Sequence, residues 1–393
     1  MIHAETSMYE DLLNKLDDEY TVKKLEEMVS IPSVVKDEKE LAHYLQDELD
    51  KLGYKTELDE VEPSRPNVYA KLKGKAKGKR LNFCGHLDTV PVVVGWDTDP
   101  FKPVKKGGRL YGLGSNDMKG GIACTLNMLR AFAESSYPFI GELSFAGVID
   151  EEAFGEGAKA MLKTEYGKVN AVVLGEPATA ELGAGTPLGI TGKILYDIYV
   201  NGTAAHGFSP EEGVNAIEEA GVILANLSNL KFKKHSHFGQ GNYSTLKIEG
   251  GYTIYSVVVP ATCRFEVNRL LVPGETTEYA VKDMERLVKS LKLKSTVEVK
   301  TKAPLYASYE IKKSEPLVKV FDESYREVFG RSPEYGYDKG ITDANTITGE
   351  GGIPCIHLGP KPHGTHQKNE SVELDWLSKV SKVNTLLAAK YLA

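Results

Sequence analysis

The chain of 393 residues is short of several things, and each shortage narrows what it does. Basic residues are not in excess: 48 Lys and Arg stand against 55 Asp and Glu, a net charge of -7. That balance, with no long basic block, excludes nucleic acid as the main partner. No apolar run approaches the roughly 18 residues of a membrane-spanning helix, so no membrane partner is expected. Cysteine is scarce: Cys84, Cys124, Cys263 and Cys355 lie far apart and in no C-x-x-C spacing. They read as buried free thiols in a reducing compartment rather than as a disulfide framework. The opening residues, MIHAETSMYEDLLNKL, lack a basic region followed by an apolar one. No signal peptide is expected, and the expected location is cytoplasmic. Internal repeats and low-complexity tracts are also missing.

What is present is the composition of a soluble globular protein, 41% apolar and 26% charged. The length exceeds one ordinary core, so two domains are expected. Amphipathic helices are predicted over residues 11–29 and 38–52, the second stopping at Gly53. Strands over 54–58, 67–72, 81–84, 142–149 and 171–174, with a helix over 120–134, give the alternation of a three-layer α/β domain with a mixed sheet. Near Gly189 the rhythm changes. Strand 193–200, helix 213–227, strands 243–249 and 255–267, helix 276–291 and strand 295–301 follow in β-α-β-β-α-β order, a ferredoxin-like α+β arrangement. From about Pro304 the first rhythm returns, with helix 316–329, strand 355–358 and helix 374–391. The expected organisation is therefore one catalytic domain in two pieces, 1–188 and 304–393, interrupted by an inserted domain over 189–303.

Two glycine-rich stretches resemble nucleotide loops and fail as such. Gly74–Arg80 lacks the spacing and the Ser/Thr of a phosphate loop, and in Gly112-Leu113-Gly114-Ser115-Asn116-Asp117 the third glycine position is Asp117. Glycines on both sides of Asp117 instead describe a tight backbone that presents one carboxylate. His86, in Gly85-His86-Leu87-Asp88, emerges at the end of an apolar strand, where ligands collect in α/β sheets. Asp88 is a candidate acceptor for the second ring nitrogen, or orients the site indirectly. Asp150-Glu151-Glu152 ends another strand, and adjacent acids there repel one another unless cations sit nearby. Glu176 follows a third strand, and His366 lies downstream of a fourth. Together they describe one polar site. The carboxylates of Asp117, Glu152 and Glu176, with neutral His86 and His366, largely meet the charge of two divalent ions, one carboxylate joining both. Glu151, beside a ligand but not needed as one, suits a general base. Mixed nitrogen and oxygen donors favour zinc, with cobalt or manganese as substitutes.

In combination, GHLDTVP, GLGSNDMKGG, DEE, GEP and H-x-x-N-E closely resemble the co-catalytic zinc amidohydrolases and exopeptidases, over nearly the whole chain. The resemblance implies one metal held by His86 and Glu176, the other by Glu152 and His366, with Asp117 bridging. It further implies Glu151 as base, Asp88 supporting His86, and a cis peptide between Asp117 and Met118. The inserted domain resembles the family's lid, which also dimerises, so a homodimer is expected. His206, in Ala204-Ala205-His206-Gly207, matches the histidine that reaches a neighbouring subunit's site and stabilises the oxyanion. Arg269 matches the position that grips a substrate carboxylate. One departure stands out: relatives often carry Asn-x-x-Pro before this strand, where this chain has Val257 ahead of Val258-Val259-Pro260. Either Ser256 substitutes or that polar contact is absent. His235 and His237 read as solvent-facing, and His357 as core.

The leading expectation is a di-metal hydrolase that cleaves an amide beside a free carboxylate, taking a small N-acyl-amino acid or a peptide. In this family a glutamate at position 176 accompanies deacylases and carboxypeptidases, so an N-acyl-amino-acid deacylase leads. A metallo-carboxypeptidase or dipeptidase is the alternative. A non-catalytic, metal-binding dimeric scaffold is the reading from another class, and the retention of Glu151 and of every ligand weighs against it.

Overall fold

The computed structural model describes residues 9–177, 185–254 and 256–393. These fall into two compact units: the described residues up to Leu188 with Ile311–Asp338 and Thr342–Ala393, and the described residues of Gly189–Glu310 with Lys339–Ile341.

The first unit is built on a six-stranded mixed sheet. Its order is Lys55–Glu62, Arg65–Lys73, Glu142–Val148, Arg80–His86, Ala171–Leu174, Cys355–His357. The first two contacts are antiparallel and the other three parallel. The four parallel strands are buried along almost their whole length, as expected for strands covered on both faces. Helix Lys39–Lys51 packs on the two antiparallel strands, helix Lys119–Glu134 on the central strand Arg80–His86, and helix Pro316–Phe329 on the edge strand Cys355–His357. Helix Lys119–Glu134 is buried nearly all round, since helices Asp18–Val29 and Leu374–Tyr391 also cover it. All four cysteines are buried free thiols, as their apolar settings predict.

The expected single helix over 11–29 is two. Asp17 breaks it and caps the second, Asp18–Val29, its carboxylate accepting the N–H groups of Glu19 and Tyr20. Such a cap stabilises a helix start by about 1 kcal/mol, enough to prefer a break to a continuous turn.

The second unit is a four-stranded antiparallel sheet in the order Tyr243–Gly250, Thr262–Leu271, Gly192–Asn201, Thr296–Tyr306, with helices Ala216–Ala225 and Thr277–Ser290. The chain order is β-α-β-β-α-β, and the strand order 2-3-1-4 is ferredoxin-like. Ile194, Tyr196, Ile198, Phe265, Val267, Ile223 and Met284 meet in its core. Two expectations are corrected here. The strand expected over 255–267 is Thr262–Leu271; its expected first residue, Tyr255, lies outside the described residues. Strict alternation of burial begins only at Cys263, after Pro260, which has no N–H for a sheet ladder. The last strand runs through Pro304 to Tyr306, with Ala303–Pro304 cis, so the unit extends to Glu310 rather than ending at 303.

Candidate metal centre

Register explains why residues far apart in sequence meet. In the parallel part of the first unit's sheet, His86 pairs with Val148, and Cys84 with Leu174. The chain segments leaving those strands therefore start level with one another, at the carboxyl edge. His86 closes its strand. Asp150, at φ 70°, turns the chain after its neighbour so that Glu151 and Glu152 follow at once. Glu176 comes two residues after Leu174.

His86 Nε2 lies 3.0 Å from Asp117 Oδ1 and 3.7 Å from Glu176 Oε1. His366 Nε2 lies 3.3 Å from Asp117 Oδ2 and 2.9 Å from Glu152 Oε1. Asp117 thus presents one oxygen to each histidine, the disposition of a bridging carboxylate. Donor atoms of His86, Asp117 and Glu152 fall within 4.8 Å of one another, as do those of His86, Glu151 and Glu176. The five expected ligands and Glu151 are brought together. The Asp117–Met118 peptide is cis, as the resemblance implies.

Electrostatics show what the cluster demands. Burial opposes charge on His86, yet hydrogen bonds to Asp117 and Asp88 and the charges of Glu176 and Glu151 outweigh it, holding the imidazole well above its ordinary pKa. Hydrogen bonds to Asp117 and Glu152 push His366 up to about 10. Burial works to raise Asp117, but the two histidines overcome it and hold that carboxyl low. Burial first, then the Glu176 charge, pushes Glu151 well above the carboxylate range; burial and Asp117 do the same to Glu176. Mixed imidazole and carboxylate donors around unbalanced negative charge fit divalent cations.

Asp88 supports the centre in two ways, through its backbone and through its side chain. His86 Nδ1 donates to its backbone carbonyl at 2.9 Å, which leaves Nε2 for the centre. Its carboxylate, 3.6 Å from Nδ1, accepts the N–H groups of Glu151 at 3.2 Å and Glu152 at 2.9 Å. Asp88 therefore holds two strand ends at once. Sequence reasoning missed Arg65, a buried guanidinium that joins Glu38 to Asp150 at 2.8 Å and steadies the same turn. The glycines around Asp117 have a definite task. A Cβ on Gly121 would stand 1.9 Å from the carbonyl oxygen of Gly175, so helix Lys119–Glu134 touches the backbone that carries Glu176.

Of the remaining candidates, His206, Arg269 and His235 belong to the second unit and His357 to the first. His206 sits in a loop paired to Val258, its Nδ1 accepting the N–H of Phe208. Arg269 is a correction. Its side chain is wholly buried, donating to Asp283 at 3.0 Å, Glu275 at 2.9 Å and the Lys231 carbonyl at 2.8 Å, and stacking on Phe232. A fork so occupied is a structural ion pair and does not take a substrate carboxylate. His235, expected to face solvent, is half-buried with Nε2 3.2 Å from Glu310. His357 is core as expected, with Nε2 3.3 Å from Thr342 Oγ1.

A set of imidazoles and carboxylates gathered at the carboxyl edge of a mixed α/β sheet, with a glutamate to spare, defines the class as a metal-dependent hydrolase. The sequence profile of peptidase family M20/M25/M40 matches residues 83–390, and the chain belongs to that family. Among curated relatives it is 28% identical over 367 residues to N-formyl-4-amino-5-aminomethyl-2-methylpyrimidine deformylase of Bacillus subtilis, covering 85% of each chain. It is 27% identical over 372 residues to succinyl-diaminopimelate desuccinylase of Rickettsia akari, covering 91% of this chain and 96% of that one. Solved structures share the fold. Aminopeptidase PepT from Bacillus cereus superposes with a TM-score of 0.78 at 21% identity, over 96% of this chain and 100% of that one. The dinuclear metal-binding peptidase YXEP from Bacillus subtilis gives 0.69 at 16%, over 95% and 98%.

Proposed function

We propose that this chain is an N-acyl-amino-acid deacylase that hydrolyses an amide beside a free carboxylate, with two divalent ions. The observation that carries this reading is the spare carboxyl of Glu151, whose oxygen lies within 4.8 Å of the donor atoms of His86 and Glu176. His86 and Glu176 would hold one ion, Glu152 and His366 the other, and Asp117 both; zinc suits these donors best, with cobalt or manganese as substitutes. When bound, the ions supply Lewis acidity and lower the pKa of water toward about 7. Glu151 accepts the proton of the attacking water and returns it to the departing amine. Asp88 keeps Glu151 and Glu152 in register through their N–H groups. Acyl release is also what the names of the deformylase and desuccinylase relatives describe. The metallo-carboxypeptidase of Sulfolobus solfataricus, with a TM-score of 0.74 at 18% identity, keeps C-terminal peptides as the second reading.

A homodimer through the second unit forms part of the proposal, with His206 reaching the other copy's site as an oxyanion donor. Its support is the edge strand Tyr243–Gly250, exposed on both faces and carrying Leu246 and Ile248 at least half exposed. A stable monomer rarely leaves such an edge unprotected. Metal content by elemental analysis, beside hydrolysis of formyl-, acetyl- and succinyl-amino acids and C-terminal dipeptides, tests the activity. Metal-dependent release of an acyl group is expected; peptide cleavage alone would favour the second reading. Mixing inactive His206→Ala protomers with inactive Glu151→Gln protomers should restore some turnover, and none in confirmed heterodimers would remove the shared site.

A further inference from the structure

Glu370 is an acid outside the metal set. It is buried, 2% exposed, and its Oε1 accepts the N–H groups of Asn116 at 2.8 Å and Asp117 at 2.9 Å. Its Oε2 accepts the N–H of Gly114 at 2.9 Å. One carboxylate therefore satisfies three amides of the tight turn that ends in Asp117. The segment around it is tied to the same turn by other rungs. The Glu370 carbonyl accepts the N–H of Gly112 at 3.1 Å, and Ser371 pairs with Tyr111. Asn116 Nδ2 donates to the Lys361 carbonyl at 2.9 Å, and Thr365 Oγ1 donates to Asn116 Oδ1 at 3.1 Å. His366 is carried by that segment, four residues before Glu370.

We propose that Glu370 is a positioning residue that fixes the bridging carboxylate of Asp117 relative to His366, so that both donors to one ion move as a single part. The chemistry calls for a carboxylate. It only accepts, with lone pairs enough for three N–H groups on its two oxygens, whereas a glutamine would turn an NH2 against one of them. Partners that orient the ligands of a metal ordinarily change its affinity by about 10- to 100-fold when removed. A staple serving the fold alone would leave the ligand geometry untouched.

The inference rests on reading Asp117 as the bridging ligand, so the test has one part with metal and one without. With cobalt as the probe, Glu370→Gln should bind about tenfold more weakly than the unaltered protein and Glu370→Ala about 100-fold, each with a shifted visible spectrum. A folded Glu370→Gln with affinity within twofold and an unchanged spectrum would overturn the proposal. In the metal-free, unaltered protein the amides of Gly114, Asn116 and Asp117 should exchange with deuterium as slowly as core amides. Fast exchange there overturns the clamp even if neither variant folds. Failure of the unaltered protein to bind cobalt at all would instead overturn the metal reading and leave the exchange result standing.

Discussion

Replacing Asp88 with asparagine separates a positioning role from a purely structural one. Asp88 is fully buried, and its carboxylate accepts two N–H groups, from Glu151 at 3.2 Å and Glu152 at 2.9 Å. Asparagine keeps one acceptor oxygen and turns its NH2 toward the other amide, so one charge-assisted bond is lost. Such a bond contributes about 1.5–3 kcal/mol. At about 1.4 kcal/mol per factor of ten, that corresponds to roughly a 10- to 150-fold effect. The loss falls on the segment carrying the base and a ligand, so kcat should fall by about that factor with KM little changed. The backbone carbonyl that holds His86 Nδ1 is unaffected, so that imidazole should keep its orientation. Steady-state hydrolysis of the best acyl-amino acid, beside metal analysis and urea denaturation, gives the answer. A folded, fully metallated Asp88→Asn with kcat within twofold would rule out this positioning role.

Two further outcomes follow from packing and burial. Burial pushes His357 down to about 4, below its ordinary 6.5, so the folded state prefers the neutral ring. Stability from this group is present above about pH 6.5 and is lost as pH falls toward 4, by about 3 kcal/mol in all. Denaturant titrations between pH 7 and 4 should show that slope, and His357→Gln should abolish the part due to this residue; an unchanged slope would contradict the assignment. Gly121→Ala places a methyl 1.9 Å from the Gly175 carbonyl and should cost roughly 1–3 kcal/mol while disturbing the neighbouring Glu176. Unaltered melting together with unaltered metal content would count against the close contact.

The parts of the site legible in sequence are those that sit directly on strand ends. Leu81–Cys84 and Ala171–Leu174 are mainly apolar runs, each followed by one glycine and then by His86 or Glu176, so period and polarity alone place these residues at the sheet's edge. Asp117 was legible through its glycines. What escaped was long-range pairing. Arg269 reads as an available cation until Glu275 and Asp283 are found around it, and only the fold puts them there. The strands Val104–Lys106, Arg109–Tyr111 and Ser371–Glu373 are three residues each, too short to show a period, yet they seat the turn before Asp117 against the segment that carries His366. The sequence shows Asp88 as an acid two residues after His86, but that its carboxylate serves Glu151 and Glu152 depends on the parallel pairing of their strands. The unit boundary was displaced because the strand Thr296–Tyr306 accommodates Pro304 instead of ending at it.

The central claim is that Glu151 is the base beside a two-metal centre. Glu151→Gln, assayed at once for bound divalent ions and for turnover, tests it most directly. Two ions per chain are expected, as in the unaltered enzyme, with a kcat lower by roughly a hundred- to ten-thousand-fold. Normal turnover with both ions in place, or an unaltered enzyme that hydrolyses the substrate without any divalent ion, would contradict it.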